Sequence, residues 1–177
     1  MKRDNVTNAS TGRTSMDPRT VADVMSAPIS QELLESAIPA RFAYVGVDGD
    51  PRVIPIGFVW DGLRFLMFTV PKSAKVRALR QNPRVAITID TQGFPPRVLL
   101  VRGAASLELV DGVPDEYVAA SRKVLEPDQF ADWESGVRAL YDQMVRITVE
   151  PDWAKLLDFE TTIPKAVEDL VRARQGA

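Results

Sequence analysis

From Arg41 onward the chain runs in short apolar stretches bounded by turn residues, the pattern of strands. Three such runs follow one another: "RFAYVGV" (41–47), "RVIPIGFVW" (52–60) and "LRFLMFT" (63–69). The turn signals "DGDP" and "DG" separate them, which predicts an antiparallel meander. At "SAKVRALRQN" (73–82) the spacing changes to that of a helix, with Val76 and Leu79 on one face and Pro83 ending it. "RVAITID" (84–90) predicts a fourth strand. "RVLLVRGAASLELV" (97–110) predicts a long fifth one, bent at Gly103. "PDEYVAASRKVL" and "PDQFADWESGVRALYD" then read as helices, each opened by a Pro-Asp pair, before two closing strands, "MVRITVE" and "WAKLLDFE". Short helices are expected after Asp17-Pro18 and after Ser30, and a terminal one in "IPKAVEDLVRARQ".

This order is not regular βαβ alternation. It predicts a mainly β protein, an antiparallel barrel or curved sheet with peripheral helices. Residues 1–16 are polar and are expected to form a disordered leader. Residues 17–177 are expected to form a single domain with a helical insertion at about 114–142. Pro55 lies inside the second strand. It has no backbone N–H to give a neighbour, so it marks a sheet edge or a bulge.

Composition narrows the chemistry. Of the 177 residues, 45% are hydrophobic, enough for a sizeable core. The formal charge is 22 − 24 = −2, which argues against a general nucleic-acid binder. There is no Cys and no His. Thiolate catalysis, disulfides, Cys-based metal sites and Ser-His-Asp chemistry are excluded by composition. No apolar run is long enough to span a bilayer, and residues 1–15 lack the apolar core of a secretion signal. A cytoplasmic protein is the expectation.

Against this slightly acidic background, "FTVPKSAKVRALRQNPRV" (68–85) gathers Lys72, Lys75, Arg77, Arg80 and Arg84. A solvated helix face would explain them. So would an anion site: Thr69 and Ser73 stand where strand gives way to helix. A helix start offers free N–H groups and a partial positive charge, and cations there call for a compensating anion.

Residues "DGDPRVIPIGFVWDGLRFLMFTVPKSAKVRALRQNPRVAITID" resemble the core of the pyridoxamine-5'-phosphate-oxidase-like split β-barrel family. The shared pattern is DG-x-P, an apolar strand, DG, a T-x(3)-S-x-K turn and L-R-x-N-P-R-V. The resemblance covers about residues 40–110, with a looser match through "VRITVEPDWAKLLDF". It implies an antiparallel split β-barrel of the FMN-binding type that acts as a flavin- or deazaflavin-dependent oxidoreductase.

By the same resemblance, Arg52, Val53, Ile54, Pro55 and Ile56 line the cofactor ring, and Thr69, Ser73 and Lys75 hold its phosphate. Arg80 neutralises the phosphate or a longer acidic tail, and Trp153 reaches the neighbouring subunit's cofactor. Relatives that oxidise pyridoxamine phosphate often carry Arg just before the matched Lys. Here Ala74 stands there, which leaves FMN and the deazaflavin coenzyme F-420 both open. The resemblance further implies a homodimer with the cofactor between subunits and a small organic substrate. It assigns no catalytic side chain, because the cofactor carries the hydride chemistry. No metal, nucleic acid or membrane is implied. A carrier or sensor that binds the cofactor without turnover is the alternative. Trp60 and Trp133 are expected to be core or interface anchors, and the 114–142 helices to pack on the barrel rather than form a lid.

Overall fold

The computed structural model describes residues 16–162 and 165–175. The leader lies outside the described residues except for Met16. Asp17 caps α1 (Pro18–Ser26) through its carboxylate, which accepts from the amides of Arg19 at 2.9 Å and Thr20 at 3.3 Å. α2 spans Pro28–Glu35, so it opens at Pro28, ahead of the expected start after Ser30, because Pro is suited to a first helical position. The strands are β1 (Ala40–Val45), β2 (Pro51–Ile56), β3 (Val59–Trp60) and β4 (Phe65–Thr69). After α3 (Ala74–Gln81) come β5 (Arg84–Asp90), β6 (Arg97–Asp111), α4 (Asp115–Arg122), α5 (Pro127–Leu140), β7 (Gln143–Asp158) and α6 (Lys165–Gln175).

All seven strands form one antiparallel sheet in the order β2-β1-β5-β6-β7-β4-β3. The expected three-strand meander is corrected by this order. β1 and β2 form a hairpin, but β3 pairs with β4 at the opposite edge of the sheet. The run predicted as one strand, 52–60, breaks at Gly57-Phe58, and its halves form the two edges. Phe58 leaves the ladder to bury its ring against Phe65, 5.4 Å between centroids. The sheet curves toward a barrel without closing. Pro55 lies in edge strand β2, where a missing N–H costs no ladder bond.

The two closing strands are one. β7 runs sixteen residues through Pro151, pairing with β6 along its length. The register shifts between Arg102 and Gly103: Arg102 faces Trp153, Gly103 faces Pro151, and Asp152 is passed over, a β-bulge. Gly103 is required there. A Cβ would strike the Glu150 carbonyl oxygen and lie 2.7 Å from Val149 Cγ1.

The concave face of the sheet holds the core. Phe42, Phe65, Met67, Ile87, Ile89, Leu99, Val101 and Ile147 are buried there, closed over by Val21 and Met25 of α1 and Leu33 and Leu34 of α2. Val76 and Leu79 seal the same core from α3, the face that the helical spacing predicts. A second cluster forms under α4 and α5, around Leu66, Phe68, Val118 and Met144, with Tyr117, Phe130 and Trp133 half-buried at its rim. Arg146 ties it together, donating to Glu108 at 2.9 Å and Glu116 at 3.0 Å. These helices pack on the sheet, as expected, and Trp133 and Trp60 serve as anchors.

Candidate functional site

Three of the expected site residues converge where β4 gives way to α3. Thr69 ends β4 and is buried; Ser73 is the residue before the first helical turn; Lys75 lies in that turn. Lys75 Nζ donates to Thr69 Oγ1 at 3.0 Å. The Ser73 hydroxyl is buried and has no hydrogen-bond partner among the described residues, and it makes no capping bond to its own helix. A buried hydroxyl without a partner loses its hydration for nothing, at a cost of about 1–3 kcal/mol. Ser30 Oγ and Arg146 Nε are buried without a partner as well, so the Ser73 hydroxyl is distinguished by its place at a helix start, one turn from Lys75.

The electrostatics agree. Lys75 is half-buried, and burial pushes its ammonium below the ordinary Lys range. Among the described residues no carboxylate lies within 4 Å of it. The first turn of α3 adds unpaired N–H groups and carries no acidic residue. A half-buried cation, a buried hydroxyl and a helix start therefore lie within one strand-to-helix turn, a combination whose chemistry suits an anion.

The other expected residues separate. Arg80 is exposed in the last turn of α3, seven residues past Ser73 and therefore roughly 10 Å along the axis. One phosphate on Ser73 would not touch it; a longer acidic tail would. Arg52 is ion-paired with Asp48 at the β1–β2 turn. Ile54 and Ile56 turn inward onto the core, so only their backbone faces outward. Val53, 65% exposed, and Pro55 stand on the outer face.

That outer face has a regular grain. Val53 pairs with Ala43, Ala43 with Ala86, Ala86 with Arg102 and Arg102 with Trp153. Directly paired residues of a ladder project to the same side. Val53 and Trp153 thus share a face, four strand spacings or about 19 Å apart along the sheet. Within one chain they cannot line one ring. The Arg102 guanidinium covers the Trp153 ring, 4.2 Å from its centroid. Arg102 was not among the expected site residues; its only sequence signal is a cation inside the apolar run "VLLVRGAA".

The carboxylates at the end of β7 are structural. Asp158, 7% exposed, accepts from Thr161 Oγ1 at 2.7 Å and from the Glu160 amide at 3.2 Å, closing the turn after β7. Glu160 pairs with Arg97. Among the described residues no group of three acidic side chains is placed to hold a metal, and no helix is long and apolar enough to cross a membrane. A cavity of about 630 Å³ opens between α1, the β3–β4 turn and the β7 bulge, and none of the ten expected residues lines it.

A mainly antiparallel, unclosed seven-stranded sheet flanked by helices is the architecture of the split barrels. The chain belongs to the pyridoxamine 5'-phosphate oxidase family, whose model matches residues 28–150. Among solved structures it is similar to an F-420 reductase, at 28% identity and a TM-score of 0.55, covering 71% of this chain and 94% of that one. It is also similar to the heme storage protein HutZ of Vibrio cholerae, at 19% identity and a TM-score of 0.52, covering 74% and 92%. A conserved hypothetical protein of Mycobacterium tuberculosis aligns at 18% identity and a TM-score of 0.54, covering 82% and 88%. The last two likenesses are of fold alone. No curated protein matches the chain.

Proposed function

We propose that the protein is an oxidoreductase that holds a phosphorylated flavin-type cofactor, FMN or coenzyme F-420, with its phosphate on Thr69, Ser73 and Lys75. The observation that carries this reading is the buried, unpartnered Ser73 hydroxyl beside the half-buried Lys75 ammonium. When bound, the cofactor supplies the hydride or electron transfer in its own ring, which suits a chain without His or Cys.

The side chains bind, orient and shield. Lys75 and Ser73 hold the anion, Thr69 holds Lys75 in place, and the outer face of β2 at Val53 and Pro55 offers an apolar wall. Arg80 stands at the far end of α3, where it meets an acidic extension of the cofactor. A second copy of the chain completes the site. In the homodimer, Trp153 of one copy is brought to the ring held by the other, which accounts for two family-assigned residues lying about 19 Å apart in a single chain. The likeness to an F-420 reductase supports the deazaflavin as one of the two candidates.

Parallel titration of the purified protein with FMN and F-420, followed by intrinsic Trp fluorescence, tests the reading. Saturable binding of one cofactor at micromolar concentration or below, lost in Lys75→Glu, is the expected result. Chemical reduction of the bound cofactor and its reoxidation by a small organic acceptor separate an oxidoreductase from a carrier. Binding of neither cofactor would refute the proposal.

A further inference from the structure

The cavity beside the β7 bulge has a chemistry opposite to that of the phosphate cradle. Its walls come from α1 (Val21, Met25), the β3–β4 turn (Trp60, Leu63) and the bulge itself (Glu150, Asp152). Val21 and Met25 are buried, and Trp60 is half-buried against Phe65, 4.9 Å between ring centroids. The floor is therefore apolar and held rigidly by the main core. The volume of about 630 Å³ is in the range of small-molecule sites, roughly 300–1,000 Å³.

The polar side chains that line it carry negative charge or none. Asp23, Glu150 and Asp152 contribute carboxylates, and among the described residues no Lys or Arg lines the cavity. Arg84 offsets the charge of Asp152. Asp23 and Glu150 are exposed at the rim and make no ion pair within 4 Å among the described residues. Gln31 already spends its amide N–H on the Met25 carbonyl at 2.7 Å.

We infer that this cavity binds a small organic cation: a protonated amine carried on an aromatic or aliphatic body. The apolar body lies on Met25, Trp60 and Leu63, and the ammonium sits at the rim between Asp23 and Glu150. Anionic ligands are excluded by the same carboxylates. The site shares no residue with the phosphate cradle, so it stands or falls independently of the proposed cofactor.

The test uses the full chain and three probes of matched shape: 2-phenylethylammonium, 2-phenylethanol and 3-phenylpropanoate. Each is titrated against intrinsic Trp fluorescence, with Trp60→Phe to assign the signal. The ammonium is expected to bind about tenfold or more tighter than the carboxylate, and tighter than the alcohol, with the difference shrinking at high salt. Asp23→Asn and Glu150→Gln are each expected to weaken the ammonium about three- to fivefold and to leave the alcohol unchanged. Melting temperatures verify that the variants fold. The inference is overturned if the carboxylate or the alcohol binds as well as the ammonium, or if the signal survives Trp60→Phe. No binding of the ammonium at millimolar concentration overturns it as well, and these wild-type results need no variant.

Discussion

Removing the Lys75 ammonium should move stability and cofactor affinity in opposite directions. In the protein without cofactor this charge is half-buried, has no carboxylate within 4 Å among the described residues and stands at a helix start, where cations are disfavoured. Burial is the cause that lowers its folded pKa, so the folded state disfavours the charged form. Between the folded and unfolded pKa values the unfolded chain binds more protons, and stability rises with pH there. Below that window the full penalty is present; above the unfolded value, about 10.4, it is gone.

The perturbation is Thr69→Val/Lys75→Met. It removes both partners of the 3.0 Å hydrogen bond together, so no hydroxyl is left orphaned, a nearly neutral exchange in itself. What remains is relief of the desolvated charge. The melting temperature without cofactor is expected to rise at pH 7, and its advantage over the wild type to narrow as pH approaches 10. Cofactor affinity is expected to fall. A charge-assisted hydrogen bond is worth about 1.5–3 kcal/mol, which is about 10- to 150-fold in Kd. Thermal melts across pH and titrations with FMN and F-420 measure the two effects. A variant that melts lower at every pH, or that binds both cofactors as the wild type does, would refute the reasoning. In either case Lys75 would be an ordinary structural residue.

Three further outcomes are expected. Ser73→Ala deletes a buried hydroxyl that has no partner, so it should leave the cofactor-free protein unchanged or up to about 1 kcal/mol more stable in urea titrations, while weakening cofactor binding. Gly103→Ala places a methyl group against the Glu150 carbonyl at the bulge. It should cost about 1–3 kcal/mol in the same assay, because backbone on both strands must shift. Asp158→Ala strips the Thr161 hydroxyl and Glu160 amide of their acceptor and should cost about 1–3 kcal/mol; an unchanged urea midpoint would count against a structural role for that carboxylate.

The proposed anion site could be named from the sequence because its parts lie close together in the chain. Thr69, Ser73 and Lys75 fall within one strand-to-helix turn, and Lys75 reaches back to Thr69. Trp153 and Val53 were legible only as family positions. Their shared face depends on a ladder through β1, β5 and β6, which no local pattern contains. The amine cavity drew no notice in the sequence, since its walls come from segments around residues 16–31, 60–63 and 150–152.

Apolar runs and turn signals determined roughly where strands form, and helical spacing determined that α3 seals the core with Val76 and Leu79. Absence of His and Cys determined that any redox chemistry comes from a bound group. Only the tertiary structure decided that residues 51–60 split between the two edges of the sheet, and that β7 passes unbroken through Pro151. It alone left the Ser73 hydroxyl buried without a partner among the described residues. The physical reason is the range of each cause. Period and turn chemistry act over a few residues. Strand order, bulges and unmet hydrogen bonds are settled by which distant segments best fill the same core, and that competition is decided only when the whole sheet is assembled.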